Sequence, residues 1–163
     1  MPQSVHFRKA QARDADTIAN FNAAMALETE HKVLIPEIIG AGVRKLMGTP
    51  SMGFYVVAES DARVVASLMI TNEWSDWRNG LFWWIQSVYV EPDFRRQGVY
   101  LRLYEFVQAM AAADSGVCGF RLYVEKDNTV AQQTYASLGM AQTDYLIYEE
   151  LKPGIRYFTP NDK

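Results

Sequence analysis

Two apolar runs separated by a helical pattern constrain this fold more than any other feature. LFWWIQSVYV at residues 81–90 and VCGFRLYVE at residues 117–125 have the length and residue content of buried strands. Five apolar side chains between them share one helical face: Tyr100, Leu103, Tyr104, Val107 and Ala111. A helix that joins two strands of one sheet must cross back over it, so the two strands are predicted to be parallel.

The segments before this unit predict two helices and an antiparallel meander. Alternation at residues 5–7 indicates a short first strand. A helix then begins near Asp14 or Asp16, and a second begins near Pro36 and ends at Gly48. GFYVVAE and RVVASLMITNEW follow as a hairpin, and WSDWRNG turns the chain into the first of the two apolar runs.

The region after residue 125 predicts one more helix and one more strand. Asn128 or Thr129 caps a helix that ends at Gly139, and TDYLIYEEL at residues 143–151 is predicted as a last strand. The tail at residues 152–163 contains prolines and a glycine and is predicted to be irregular. It either packs against a second copy in a homodimer or covers the edge of its own domain.

These elements together predict an α+β fold. Their order is β-α-α-β-β-β-α-β-α-β, which gives a mixed, mostly antiparallel sheet with helices on both faces and one parallel strand pair. A chain of roughly 150 residues buries about two thirds of its unfolded surface. Residues 1–163 are therefore expected to form a single domain.

Charge and composition argue against two classes of partner. The formal net charge is -3, and basic residues never run beyond pairs, so nucleic acid is not an expected partner. The longest apolar stretch is too short and too polar to span a bilayer, so no membrane partner is expected. The N-terminal stretch MPQSVHFRKAQARDAD lacks the apolar core of a signal segment, which predicts a cytoplasmic protein.

The cysteine and histidine residues do not indicate a reactive or metal site. Cys118 is the single cysteine of the chain, and its apolar neighbours predict a buried strand residue rather than an activated thiol. His6 and His31 lack the spacing of metal ligands. No metal is therefore expected.

The turn between the first apolar run and the following helix has the chemistry of an anion site. Arg95, Arg96, Gln97 and Gly98 precede a helix N-terminus, where backbone N–H groups and partial positive charge favour a diphosphate. A side chain at the glycine position would block close approach of such a group. A solvated arginine pair beside a helix-starting glycine explains the same residues equally well, so both interpretations stay open on the turn alone.

Three segments together resemble the GNAT superfamily of acyl-CoA-dependent N-acyltransferases. They are the strand SVYVEP, the turn RRQGVYLRLY, which matches that family's Gln/Arg-x-x-Gly-x-Gly/Ala loop, and YVEKDNTVAQQTYASLGM, which matches its Asn-x-x-Ala-x-x-x-Tyr-x-x-x-Gly-Phe pattern. The similarity extends over nearly the whole chain. Two positions depart from the patterns, namely Tyr100 in place of glycine or alanine and Met140 in place of phenylalanine.

The resemblance implies a site for acetyl-CoA between splayed parallel strands. The pantothenate arm of the coenzyme is expected to bond to the backbone of Val88 and Val90, and its diphosphate to the turn at residues 96–101. The residues expected to bind the coenzyme are Val88, Tyr89, Val90, Arg95, Arg96, Gln97, Gly98, Val99, Tyr100, Leu101, Asn128 and Tyr135.

The resemblance also implies catalytic roles. The N–H of Val88 is expected to stabilise the oxyanion, and the Tyr135 hydroxyl to protonate the departing thiolate; an aromatic that only packs on the sheet is the alternative for Tyr135. The strand that often carries a glutamate base in this family has Gln86, which cannot titrate. The nearest carboxylates are candidate bases acting through water: Glu28 and Glu30 at the junction of the first two helices, and Glu73 and Asp76 at the strand turn. Of these, Glu28 and Glu73 are the expected catalytic residues.

A cationic amine is the expected acceptor, because aromatic faces beside carboxylates suit an organic ammonium. The residues expected to contact it are Glu28, Glu30, Trp74, Asp76, Trp77, Trp84 and Gln86. Structural alternatives stay open: Trp83 and Trp84 must point to opposite faces, so that one is core. Glu28 and Glu30 also fit a solvated helix end, and Asp76 with Arg78 a turn-stabilising pair.

The expected function is acetyl-CoA-dependent N-acetylation of a primary amine in a small molecule or a peptide. Transfer would be direct, within a ternary complex, and would need no metal. The alternative is a non-catalytic module of the same fold that binds acyl-CoA as a sensor. The missing strand glutamate favours that alternative, and the tyrosine motif disfavours it.

Overall fold

The computed structural model describes residues 4–160 and confirms the predicted α+β fold class. Short 3-10 helices at Ala12–Asp14 and Pro92–Phe94 precede the first and third α-helices. In chain order the elements are β1 (Val5–Lys9), α1 (Ala15–Glu30), β2 (Val33–Leu34), α2 (Pro36–Met47), β3 (Gly53–Ser60), β4 (Arg63–Ser75), β5 (Gly80–Val90), α3 (Val99–Ala112), β6 (Val117–Leu122), α4 (Thr129–Ser137) and β7 (Phe158–Thr159).

The five longest strands form one sheet in the order β1-β3-β4-β5-β6. The first three pairings are antiparallel, as the meander pattern predicts. α3 is the crossover between the neighbouring strands β5 and β6, which form the predicted parallel pair. The end of β5 and the start of α3 are joined by a short connection, residues 91–98.

Helices cover both faces of this sheet, as predicted. Tyr55 and Val57 of β3 pack with α1 and α2 in one buried cluster. On the opposite face, α3 contacts β1 through Phe7 and Phe106, whose ring centroids lie 6.5 Å apart. Alternating side chains of the central strands are therefore buried on both sides, which explains their nearly continuous apolar sequence.

Contacts within the chain cluster into two units. One contains the chain up to Arg121 together with the residues from Tyr157 onward, and the other is Leu122–Arg156. The expectation of a single domain over 1–163 stays a prediction, and its residues 1–3 and 161–163 lie outside the described residues. Within residues 4–160, no helix combines the length and the apolar content that crossing a bilayer requires.

The predicted strand TDYLIYEEL is wrong, because residues 143–151 form no strand. Side chains that would lie on either face of the predicted strand are exposed, including Tyr145, Leu146, Ile147 and Tyr148. A period of two specifies a strand only where one face becomes buried, and here neither does.

The tail is largely irregular, as predicted, but it also supplies a short strand. β7 pairs antiparallel with β2, and the Ile35 N–H donates to the Tyr157 carbonyl oxygen at 3.0 Å. The Lys32 ammonium lies 5.3 Å from the ring centroid of Phe158. The end of the tail therefore contacts the connection between α1 and α2, which favours the expectation that it covers its own domain. Residues 161–163 of the predicted tail lie outside the described residues.

Candidate functional site

The turn before α3 has a backbone conformation that few residues adopt. Arg96 and Gly98 have φ values of 61° and 75°, in the left-handed region. Gln97 braces the turn, because its Nε2 donates to the Asp93 carbonyl oxygen at 2.7 Å. A Cβ added at Gly98 would meet nothing within 4 Å, so packing does not require glycine there. The left-handed φ is the feature that favours glycine.

The N-cap of α3 has open space beside it, because a Cβ added at Gly98 would meet nothing within 4 Å. Gly98 occupies the N-cap position without a side chain, and the Arg102 N–H donates to its carbonyl oxygen at 3.1 Å. Helix geometry directs the N–H groups of the first turn out of the helix end and places partial positive charge there. The exposed Arg96 adds a full positive charge. The turn therefore favours the approach of an anionic group.

Strand β5 contains a bulge close to its end. The register with β4 shifts between Ser67 and Met69, where Leu68 faces both Ser87 and Val88. Ser87 has a φ of 50°, an uncommon conformation for a residue within a strand. A bulge bends a strand and redirects the backbone groups that follow it.

Beyond the bulge, every second residue of β5 turns its backbone polar groups away from β4. The Glu91 N–H donates to the Val65 carbonyl oxygen at 2.9 Å. In an antiparallel ladder such bonds alternate, so Val90 points its N–H and C=O to the other side, as does Val88 two residues earlier. The Val90 carbonyl oxygen accepts a hydrogen bond from Arg95 Nε at 2.8 Å.

An ion pair joins the turn to the end of α1. Arg95 donates to Glu28 Oε2 at 2.9 Å, and its guanidinium lies 5.3 Å from the ring centroid of Tyr89. The Tyr89 hydroxyl donates to Glu28 Oε1 at 3.5 Å, and its ring packs 4.9 Å from that of Phe21. Burial and the neighbouring Glu28 carboxylate raise the pKa of Tyr89, which keeps this hydroxyl protonated. Glu30 is exposed at the last position of the helix.

A second cluster lies on the sheet around Glu73. Its Oε2 accepts hydrogen bonds from Trp84 Nε1 at 2.7 Å and from Arg121 at 2.8 Å. The Arg121 guanidinium lies 3.8 Å from the ring centroid of Phe82. These bonds fix the orientation of the indole and partly balance the charge of the carboxylate.

Gln86 and the two tryptophans of β5 divide as the alternation requires. Gln86 Nε2 donates to Thr71 Oγ1 at 2.8 Å. Trp83 is 6% exposed and packs edge-on against Phe54 at 5.1 Å, so it is the core residue of the pair. Trp84 is only half-buried and lies on the face that carries Gln86.

The tip of the β4–β5 hairpin is exposed. Trp77 is 86% exposed, and Trp74 is also exposed. Asp76 stabilises the turn, because its Oδ1 accepts a hydrogen bond from the Trp77 N–H at 2.9 Å. The suggested pairing of Asp76 with Arg78 is not observed; Arg78 instead donates to Ser75 Oγ at 3.2 Å.

Comparison with known proteins decides the family. Residues 19–140 match the model of the acetyltransferase (GNAT) family, about three quarters of the chain. The chain belongs to the GNAT family. A search of curated protein sequences gave no significant match.

Solved structures of similar fold agree with the GNAT assignment. A possible acetyltransferase from Clostridium difficile 630 is 44% identical, with a TM-score of 0.86 over 91% of this chain and 97% of that one. An aminoglycoside N-acetyltransferase, AAC(6')-Iy, in complex with CoA has a TM-score of 0.73 at 15% identity, covering 93% of this chain and 97% of its own. A predicted acetyltransferase with acetyl-CoA from Clostridium acetobutylicum gives 0.75 at 15% identity, covering 90% and 96%. At 15% identity these last two show a shared fold alone.

The second unit of this GNAT chain contains the remaining motif. Asn128 caps α4, because its Oδ1 accepts a hydrogen bond from the Ala131 N–H at 3.1 Å. Tyr135 lies in the last turn of α4 and is half-buried. The Asn128 side chain is therefore engaged in capping α4. Asn128 is one of the two caps that the sequence predicted.

Sequence reasoning missed several side chains of these clusters. Arg121 and Phe82 were not singled out, and Tyr89 was expected only to bind the coenzyme. A lone charge inside the apolar run VCGFRLYVE was the available signal for Arg121, since such a residue usually pairs with a carboxylate. Cys118, predicted as core, is exposed, so that prediction was wrong.

Metal ligands are not grouped in the part of the chain that the structure describes. Across residues 4–160, His, Cys, Asp and Glu side chains form no cluster of three or more that could hold a metal ion.

Proposed function

We propose that this protein is an acetyl-CoA-dependent N-acetyltransferase that transfers an acetyl group directly to a primary amine of a small molecule or a peptide. The observation that carries the proposal is the combination of the left-handed Gly98 turn at the start of α3 with the bulge at Ser87–Val88 on the preceding strand. One element offers an anion site and the other offers redirected backbone groups.

The coenzyme fits these two features in one extended arrangement. Its diphosphate would bind the first turn of α3 and the basic turn before it. Its pantothenate arm would extend along β5 like an added strand, bonding to the backbone of Val88 and Val90. The related folds with CoA and with acetyl-CoA support this placement. Among the turn residues, Arg95 is directed to Glu28 and the strand, whereas the exposed Arg96 is available to the phosphates.

The reaction requires one bond to form and one to break. The neutral amine nitrogen attacks the thioester carbonyl carbon, and the Val88 N–H stabilises the oxyanion that develops. The carbon–sulfur bond then breaks, and the Tyr135 hydroxyl protonates the leaving thiolate. A phenol of ordinary pKa about 10 and a thiol of about 8.5 are close to balance, so accurate positioning matters more than acidity. The proton lost by the amine passes through water towards Glu73.

The acceptor would lie over the face of β5 that carries Gln86 and Trp84. The indole N–H already donates to Glu73, so a cationic amine would meet the ring rather than the N–H. Arg121 balances part of the carboxylate charge, so the aromatic face contributes more to recognition than charge does. The exposed Trp74, Asp76 and Trp77 of the hairpin tip, and Glu30 at the end of α1, are proposed as separate contacts for a larger acceptor.

The sensor alternative has one observation in its favour. Glu28 and Glu73 each pair with an arginine, so neither candidate base is free of other partners. A protein that only bound acyl-CoA would tolerate this arrangement without penalty.

Calorimetric titration with acetyl-CoA, followed by a thiol-release assay, separates these functions. The amine panel contains polyamines, amino acids, aminoglycosides and peptide N-termini. Binding in the micromolar range, about -8 kcal/mol, with thiol release for one amine class supports the acetyltransferase. Binding without release for every amine supports the sensor, and absence of binding contradicts both.

A further inference from the structure

Arg95 connects three parts of the site. Its Nε donates to the Val90 carbonyl oxygen at 2.8 Å, at the end of β5, and its guanidinium donates to Glu28 Oε2 at 2.9 Å, in the last turns of α1. Its own N–H donates to the Pro92 carbonyl oxygen at 3.2 Å. The residue is therefore fixed by both its main chain and its side chain.

The turn needs such an anchor. Only residues 96–98 separate Arg95 from α3, and Arg96 adopts a left-handed conformation that costs a non-glycine residue about 1–2 kcal/mol. Strained conformations of this kind persist only where the surrounding contacts determine them. The bonds of Arg95 hold one end of the turn, and α3 holds the other.

Both oxygens of the Glu28 carboxylate face groups of the same cluster. Oε2 accepts from Arg95, and Oε1 is approached by the Tyr89 hydroxyl. Tyr89 is itself buried against Phe21 of α1. A carboxylate in this arrangement is well placed to orient the arginine, and less well placed to receive a proton from a third group.

From these contacts we propose that Glu28 and Arg95 are positioning residues that anchor the coenzyme turn to α1 and β5, and that Glu28 does not accept the amine proton. The inference rests on the proposed coenzyme site. Because the anchor preorganises the turn before the coenzyme binds, its loss weakens acetyl-CoA binding and leaves the chemical step unchanged.

Glu28→Gln tests this directly, because it keeps the shape of the side chain and removes its charge. Since the pair is partly exposed, with side-chain exposures of 41% and 43%, the expected loss of acetyl-CoA affinity by calorimetry is about three- to fivefold. The kcat at saturating coenzyme and its pH profile are expected to stay as in the parent protein. A general base in this position would instead give a fall in kcat of about a hundredfold or more.

Two further variants control the interpretation. Asp16 forms an ion pair with Arg44, 2.6 Å between the charged atoms, near the other end of α1. Asp16→Asn removes this pair and is expected to leave acetyl-CoA affinity unchanged. Arg95→Gln is expected to weaken binding, and adding Glu28→Gln to it is expected to weaken binding no further, since the interaction is already lost. Thermal melts of all variants identify any that fail to fold.

The outcomes separate this inference from the proposed function. Unchanged acetyl-CoA affinity in folded Glu28→Gln, or a large fall in its kcat, overturns the anchor while the acetyltransferase proposal stands. The calorimetric arm needs no acceptor, so a protein that binds acetyl-CoA but acetylates nothing still tests the anchor. A parent protein that does not bind acetyl-CoA removes both proposals together.

Discussion

At the scale of single residues, Gly98 is set apart by its conformation rather than by its packing. Its φ of 75° and the open space around it mean that alanine introduces strain without a clash. Gly98→Ala is expected to lower the free energy of unfolding by about 1 kcal/mol. It is also expected to weaken acetyl-CoA binding by about fivefold, which corresponds to the same free energy. Urea titration and calorimetry measure the two effects.

Gly42→Ala is the matched control for that substitution. Gly42 is exposed within α2, has open space around it and has no positive φ. Alanine there is expected to stabilise the protein by about 0.5–1 kcal/mol and to leave coenzyme binding unchanged. If Gly98→Ala behaves in the same way as Gly42→Ala, the left-handed turn is not the feature that matters.

Tyr135→Phe tests the proposed general acid. Removing one hydroxyl is expected to lower kcat by about a hundredfold, because the thiolate must then leave unprotonated or take its proton from water. Acetyl-CoA affinity is expected to change little. Tyr148→Phe is the control in the same unit, since Tyr148 is 91% exposed. An unchanged rate for Tyr135→Phe would remove this tyrosine from the chemistry.

Residue roles were predictable from the sequence only where one residue determines its own conformation. Gly98 could be identified because glycine favours a left-handed turn, and the opposite orientation of Trp83 and Trp84 follows from strand geometry. The pairing of Glu28 with Arg95 joins residues 67 positions apart, and no local pattern specifies such a contact.

At the scale of elements, an ion-pair network joins β1, β3 and the start of α1. Arg8 donates to Asp14 Oδ2 at 2.7 Å and to Glu59 Oε2 at 2.6 Å, and the Gln11 N–H also donates to Asp14. Burial alone would raise the pKa of Asp14, but the bonds from Arg8 and Gln11 outweigh it and lower that pKa. The network therefore stabilises the ionised carboxylate in the folded protein.

This lowered pKa predicts a specific loss of stability in acid. The contribution is complete above the unfolded pKa of about 3.9 and disappears as the pH falls through the lower folded pKa. Asp14→Asn is expected to cost roughly 2 kcal/mol at pH 7, and the difference from the parent protein is expected to shrink below about pH 4. Urea midpoints between pH 7 and pH 3 measure it. The exposed Asp61→Asn serves as control, and a pH-independent difference for Asp14→Asn would contradict the linkage.

Helices and strands were predictable where the hydrophobic periodicity agrees with the proline, glycine and turn residues that begin and end each element. Pro36 and Gly48 delimit α2 as expected, and the hairpins follow their turn residues. Residues 143–151 show the limit of the method, because alternation there is not accompanied by burial. β7, two residues long, carries too little pattern to be recognised and depends on β2 for its pairing.

At the scale of the whole molecule, the topology was more predictable than the site. The parallel pair follows from one physical requirement, the crossover through α3, and that requirement is visible in the sequence. The Glu73 cluster, which belongs to the proposed acceptor region, joins Glu73, Trp84 and Arg121 from three different strands, so its polarity depends on tertiary contacts. The sequence predicted a carboxylate beside an aromatic ring and missed the arginine that balances it.

The proposed direct transfer requires both substrates on the protein at once, which predicts sequential rather than ping-pong kinetics. The proposed site offers backbone groups, a tyrosine and carboxylates, while the chain's single cysteine, Cys118, lies on β6 outside the proposed roles. Initial rates measured against both substrates are expected to give intersecting double-reciprocal lines. Mass spectrometry after incubation with acetyl-CoA alone is expected to show no acetylated protein.

Cys118→Ala completes this test. Since the thiol has no part in direct transfer, the variant is expected to keep the parent rate with every amine that the parent acetylates. Parallel lines, together with an acetyl group found on Cys118 and loss of activity in the variant, would show a covalent intermediate instead. Intersecting lines with an active variant would leave the ternary complex, with the coenzyme along β5 and the amine over Trp84, as the arrangement in which the acetyl group moves.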